Sequence, residues 1–106
     1  MPKGIMVVQS TPAEGREDEY NKWYSGTHIP QILEIPGFVG ARRFQVSDDA
    51  QPAPHRYMAV YELEADDLTA PIAELRSRSA SGQLDPNDGR LATTPPPIIT
   101  VYELIE

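Results

Sequence analysis

The stretch WYSGTHIP, residues 23–30, carries the only tryptophan of the chain, one of its two histidines and a proline that a regular helix absorbs poorly. An imidazole titrates near neutrality, so His28 is the leading candidate for general acid–base chemistry. Tyr24 precedes it by one helical turn and is the second catalytic candidate, able to bond a ligand oxygen or orient the ring. Tyr20, a further turn back, and Trp23 are candidate walls of a substrate pocket. Arg43 lies in a largely apolar strand, where it can hold a carboxylate or enolate oxygen, or pair with one of the chain's acids. Tyr57, Ala59 and Tyr61 alternate large-small-large along one strand face, which adds Tyr57 and Tyr61 to the substrate-binding candidates. The competing role for His28 is a core histidine bonded to a carbonyl that Pro30 sets free. For Tyr20 it is a filler with a wet hydroxyl. As a set, these residues suit proton abstraction beside a carbonyl in a small, largely apolar carbonyl or phenolic metabolite. Isomerisation, cyclisation, dehydration, C–C cleavage or oxygenation can follow.

The elements that must position these residues are legible. GIMVVQS (4–10) reads as a strand. Thr11, Pro12 and Glu14 suit a helix start with Thr11 as N-cap; Gly15, awkward in a first turn, leaves a start a few residues later as the alternative. In REDEYNKWYSGTH the residues Tyr20, Trp23, Tyr24, Thr27 and His28 share one face, opposite Asp18 and Lys22. Pro30 is expected to end or kink this helix and to push Ile29 out of the helical region. PQILEI allows a further helical turn, and Pro36-Gly37 predicts a type II turn. FVGARRFQV (38–46) and RYMAVYELE (56–64) read as a hairpin joined by the polar loop SDDAQPAPH, in which His55 is expected to be solvated. A second helix follows, with Leu68, Ile72 and Leu75 on one face and Asp66 or Asp67 as its cap. The Gly- and Pro-rich segment 81–97 has no period and is expected to cross the pocket mouth as a lid or to lie on a partner subunit. IITVYELIE (98–106) is the last strand.

The order β-α-β-β-α-β, with right-handed crossovers, predicts an α+β ferredoxin-like sandwich over residues 1–106: one four-stranded antiparallel sheet with both helices on one face. Apolar residues occur at both parities of the strands, so the second sheet face needs a partner, most simply a second copy of the chain. Nine Lys plus Arg against sixteen Asp plus Glu give a net charge of -7, which argues against nucleic acid and membrane partners. No cysteine is present, which excludes disulfides and thiolate catalysis and fits a cytoplasmic setting. The opening apolar run is too short for a signal peptide, and no stretch approaches the roughly 20 apolar residues of a membrane span. Two distant histidines without ligand spacing argue against a metal. No Gly-rich phosphate loop or nucleophile elbow occurs. The expected cofactor is none.

The stretch GREDEYNKWYSGTHIPQILEIPGFVGARRF (15–44) resembles the EthD-like branch of the dimeric α+β barrel superfamily. There, an acidic helix leads into an aromatic pair, a His-x-Pro, a Pro-Gly turn and an arginine-bearing strand; Trp23, Tyr24, His28, Pro30, Pro36, Gly37 and Arg43 occupy those positions. Elsewhere only the element order matches, and segment 81–97 is longer and richer in proline than the family pattern. The resemblance implies a homodimer whose sheets close into a barrel, with a pocket between each protomer's sheet and helices. It implies cofactor-independent isomerase, cyclase, lyase or monooxygenase chemistry. Two other roles occur within such folds: a non-catalytic or accessory dimer binding an apolar metabolite, and a haem-binding or haem-degrading protein with His28 as axial ligand.

Overall fold

The computed structural model describes residues 2–47, 53–86 and 89–105. Its elements are β1 (Lys3–Ser10), α1 (Glu17–Trp23), a π-helical turn (Tyr24–His28), α2 (Ile29–Leu33), β2 (Phe38–Gln45), β3 (Tyr57–Glu64), α3 (Thr69–Ala80) and β4 (Ile98–Glu103). The strands form one antiparallel sheet in the order β2-β3-β1-β4, the ferredoxin-like arrangement expected from the element order. No helix among the described residues is long and apolar enough to cross a membrane.

Register decides which residues meet the helices. Met6 sits opposite Tyr61 and Val101, and Val8 opposite Ala59 and Ile99, so these side chains share the helix-facing side. Tyr57, Ala59, Tyr61 and Leu63 are all buried there, whereas Met58, Val60, Glu62 and Glu64 alternate onto the bare side. Arg43 pairs with Ala59 and faces the helices; Arg42 pairs with Val60 and faces away. The core joins this strand face to Tyr20, Trp23, Tyr24, Ile32 and Ile72 from the helices. Pro36 and Gly37 make the predicted type II turn: Gly37 has φ 102°, and Phe38 N–H donates to the Ile35 carbonyl at 3.1 Å. A Cβ on Gly37 would come within 2.6 Å of Pro71 at the start of α3, so both conformation and space require glycine.

Of the two helix starts open from the sequence, the later one is found: Gly15 takes φ 77°, Pro12 bridges to Leu91, and the helix begins at Glu17 rather than at Thr11. Two other expectations fail. Pro30 does not end the helix, and Ile29 stays helical at φ -61°, ψ -49°. The Ile29 N–H reaches back five residues to the Tyr24 carbonyl, and this wider turn admits the proline ring without a clash. His55 is not solvated. It is 5 % exposed, its Nδ1 is 2.7 Å from Thr11 Oγ1, and its Nε2 donates to the Pro96 carbonyl at 2.9 Å. Within segment 81–97, Leu84 is buried and Leu91 packs against the core, while most of the other described residues are exposed. Residues 48–52 of the hairpin loop and 87–88 of this segment lie outside the described residues.

The second helix follows its expected pattern more closely. Asp67 accepts from both the N–H (2.9 Å) and the hydroxyl (2.7 Å) of Thr69, the first helical residue, and Pro71 falls in the first turn. That interaction holds the Asp67 carboxyl below its ordinary pKa.

Candidate functional site

His28 ends the π turn, and the wider turn determines its company. Residues five apart on an α-helix point about 140° away from each other. Here the turn brings Trp23 and His28 together, their rings stacked at 4.5 Å and 22°. Tyr24, four residues back, meets the imidazole edge-on at 5.0 Å. The ring is thus held between two buried aromatics. Burial pushes its pKa down to about 4, opposed in part by the negative charge of Asp85. The imidazole is therefore neutral at physiological pH. Its Nδ1 is buried without a hydrogen-bond partner among the described residues.

That ring forms part of the wall of a cavity of about 480 Å³ between the sheet and the helices. Met6 and Val8 of β1 and Ile99 and Val101 of β4 make the floor. Ile32 of α2 and Ile72 and Leu75 of α3 form the sides and Leu84 of segment 81–97 adds a further wall, while Ile99, 62 % exposed, leaves the cavity open at the β4 edge. The volume lies within the range of small-molecule sites, about 300–1,000 Å³. A second cavity, of about 510 Å³, lies on the bare side of the sheet between Val39, Tyr102, Leu104 and Ile105, with Lys3 and glutamates around it. No group of three or more potential metal ligands occurs among the described residues.

The other candidate residues gather on the far side of Tyr24. The Tyr24 hydroxyl lies 3.4 Å from that of Tyr61; burial raises the Tyr24 pKa to about 12 and pushes the Tyr61 phenol up as well. Tyr20 is 1 % exposed, and its hydroxyl is 2.6 Å from Ser10 Oγ, so it is not the wet filler considered from sequence. Tyr57 donates to Glu17 at 2.6 Å. The Arg43 guanidinium lies over the rings of Tyr24 (4.8 Å), Tyr20 (5.4 Å) and Tyr57 (5.5 Å). It donates to Asn21 at 2.8 Å and Ser25 at 3.0 Å rather than to a carboxylate. Tyr24 therefore touches both groups: one ring contact supports the imidazole, another supports the cation.

Of the candidates chosen from sequence, His28 alone is among the residues lining the 480 Å³ cavity. The floor residues escaped sequence reasoning because β1 and β4 are apolar at both parities, leaving no alternation to read. Arg76 was also missed. Its signal is an apolar helical stripe, Ile72 and Leu75, whose spacing continues into the exposed Arg76 and Ser79.

No protein-family model and no curated protein matches the sequence. Solved structures match the fold. An ethyl tert-butyl ether D (EthD) family protein from Bacillus halodurans C-125 superposes with TM-score 0.66 at 14 % identity, covering 99 % of this chain and all of that one. A dimeric ferredoxin-like protein of unknown function from Jannaschia sp. CCS1 gives 0.63 at 17 % identity, covering 96 % and 99 % of the two chains. A candidate monooxygenase from Shewanella loihica PV-4 gives 0.58 at 18 % identity, covering 100 % and 98 %. The chain thus has the ferredoxin-like α+β fold that these EthD-family and dimeric ferredoxin-like proteins share.

Proposed function

We propose that this protein binds a small, largely apolar carbonyl or phenolic metabolite in the cavity beside His28 and uses the neutral imidazole as proton acceptor. The observation that carries this reading is a half-buried, neutral histidine whose buried Nδ1 has no partner among the described residues, in the wall of a largely apolar cavity. A histidine kept for structure would have its nitrogens bonded, as those of His55 are. A base with so low a pKa is weak in the empty cavity. An enolate or phenolate forming next to it would stabilise the imidazolium as an ion pair. Without that anion, apolar surroundings disfavour the cation, so the proton is returned. That cycle suits isomerisation, cyclisation or C–C cleavage, and it asks for no metal or organic cofactor. Trp23 and Tyr24 would hold the ring in position. The names of the EthD-family protein and the candidate monooxygenase with this fold agree with small-molecule chemistry.

A non-catalytic binding role draws on a different observation. The Tyr24 hydroxyl is already paired with Tyr61, and Arg43 lies on the other side of Tyr24, so His28 has few polar helpers. Deuterium exchange separates the two. With apolar ketones such as phenylacetone and 2-tetralone in D₂O, the wild type should speed loss of the α-proton NMR signal. His28→Ala should lower the rate by about 10²–10⁴-fold. The melting temperature should hardly move, because no protein group loses a hydrogen bond. Equal exchange rates for the two proteins would leave only the binding role.

A further inference from the structure

Arg76 sits at the exposed edge of the α3 face that lines the His28 cavity. Ile72, Leu75, Arg76 and Ser79 follow the i, i+3, i+4, i+7 spacing of a sheet-facing helical stripe, and all four line the His28 cavity. Four other cations are matched with acids, Lys3 with Glu64, Arg16 with Glu19, Arg56 with Glu17 and Arg78 with Glu74, whereas Lys22 and Arg42, like Arg76, have no ion pair among the described residues but line no part of this cavity. Arg76 forms no ion pair among the described residues, although Glu74 and Arg78 are on the same helix. No acid among the described residues lines this cavity. Asp85, whose field reaches His28, lines a separate hollow with Trp23 and Thr27.

We propose that Arg76 is the anion subsite of this cavity, and that the ligand is an amphipathic carboxylic acid. Its carboxylate would meet Arg76 at the exposed rim while its apolar body lies over Met6, Val8, Ile99 and Val101. The guanidinium fork matches a carboxylate in two-point geometry. A net charge of -7 repels anions generally, and more strongly a dianion, so a monoanion is favoured over a phosphate. This inference rests on the reading of the His28 cavity as the ligand site, and it adds the class of compound.

Octanoate and its neutral isostere octanamide provide the test, followed by the fluorescence of Trp23, the only tryptophan, and by the NMR signals of the His28 ring. Octanoate should bind about fivefold more tightly than octanamide at low salt, the size an exposed ion pair can supply, and the preference should fade as salt is added. Arg76→Gln should remove the preference without weakening octanamide, Arg76→Lys should retain part of it, and Arg76→Glu should reverse it. If both probes bind equally and Arg76→Gln changes neither, the anion subsite is refuted while the cavity stands. If neither probe perturbs Trp23 or His28, both readings fall.

Discussion

His28 is set apart by what its surroundings withhold. Trp23 and Tyr24 cover the ring with carbon and offer no acceptor to Nδ1, so burial depresses its pKa with only Asp85 opposing. The pH dependence follows. Above about pH 6.5 the ring is neutral in both folded and unfolded chains. Below that, the unfolded chain takes up a proton, and the folded protein does so only near pH 4. The contribution to stability is full above pH 6.5 and is lost as the pH falls towards 4, on the order of 3 kcal/mol in all. Urea unfolding at pH 7 and pH 5 should show this loss in the wild type and a smaller one in His28→Gln. The stacked Trp23 allows direct observation, since an imidazolium quenches indole fluorescence. The quenching midpoint should lie near pH 4, and a midpoint near 6.5 would contradict the buried, unpartnered ring.

At the scale of elements, two features decide the site. One is the π turn, which carries the helix past Pro30 and brings Trp23 onto His28. The other is segment 81–97, which supplies Leu84 to the cavity and is fastened by His55 between Thr11 and Pro96. Replacing His55 with alanine leaves a hydroxyl and a carbonyl without their partner, a loss of roughly 1–3 kcal/mol. Amides of residues 89–97 should then exchange faster with solvent, while those of β3 keep their protection. Uniform acceleration across the chain would mean instead that His55 supports the whole fold.

For the whole molecule, the bare face of the sheet is the dominant unsolved surface. Val7, Met58 and Val60 form its centre, with Phe44 50 % and Tyr102 54 % exposed around them. An apolar face of that kind is usually covered. We expect a second copy to cover it sheet to sheet, and the dimeric ferredoxin-like proteins with this fold support that expectation. Sedimentation at micromolar concentration should give about twice 11.8 kDa, and Val60→Asp should return it to the single-chain mass with the secondary structure intact. A wild type that sediments as a single chain would sink this assembly.

The order of strands and helices, the helix-facing aromatic stripe, the Pro36-Gly37 turn and the choice of His28 as a candidate all follow from local information. Apolar period, a glycine with positive φ and a side chain that titrates near neutrality can each be read from a few neighbouring residues. What lies beside His28 could not be read in this way. α-Helical spacing pairs it with Tyr24 and puts Trp23 at the opposite edge of the shared face, and the π turn, formed around Pro30 under tertiary packing, is what stacks the two rings. His55 looked solvated because its partners, Thr11 and Pro96, are far from it in sequence. The cavity floor was hidden because β1 and β4 are apolar on both faces, and their facing is set by cross-strand register. Arg43 and His28 looked like one constellation in the sequence, but the thickness of Tyr24 separates them in the fold.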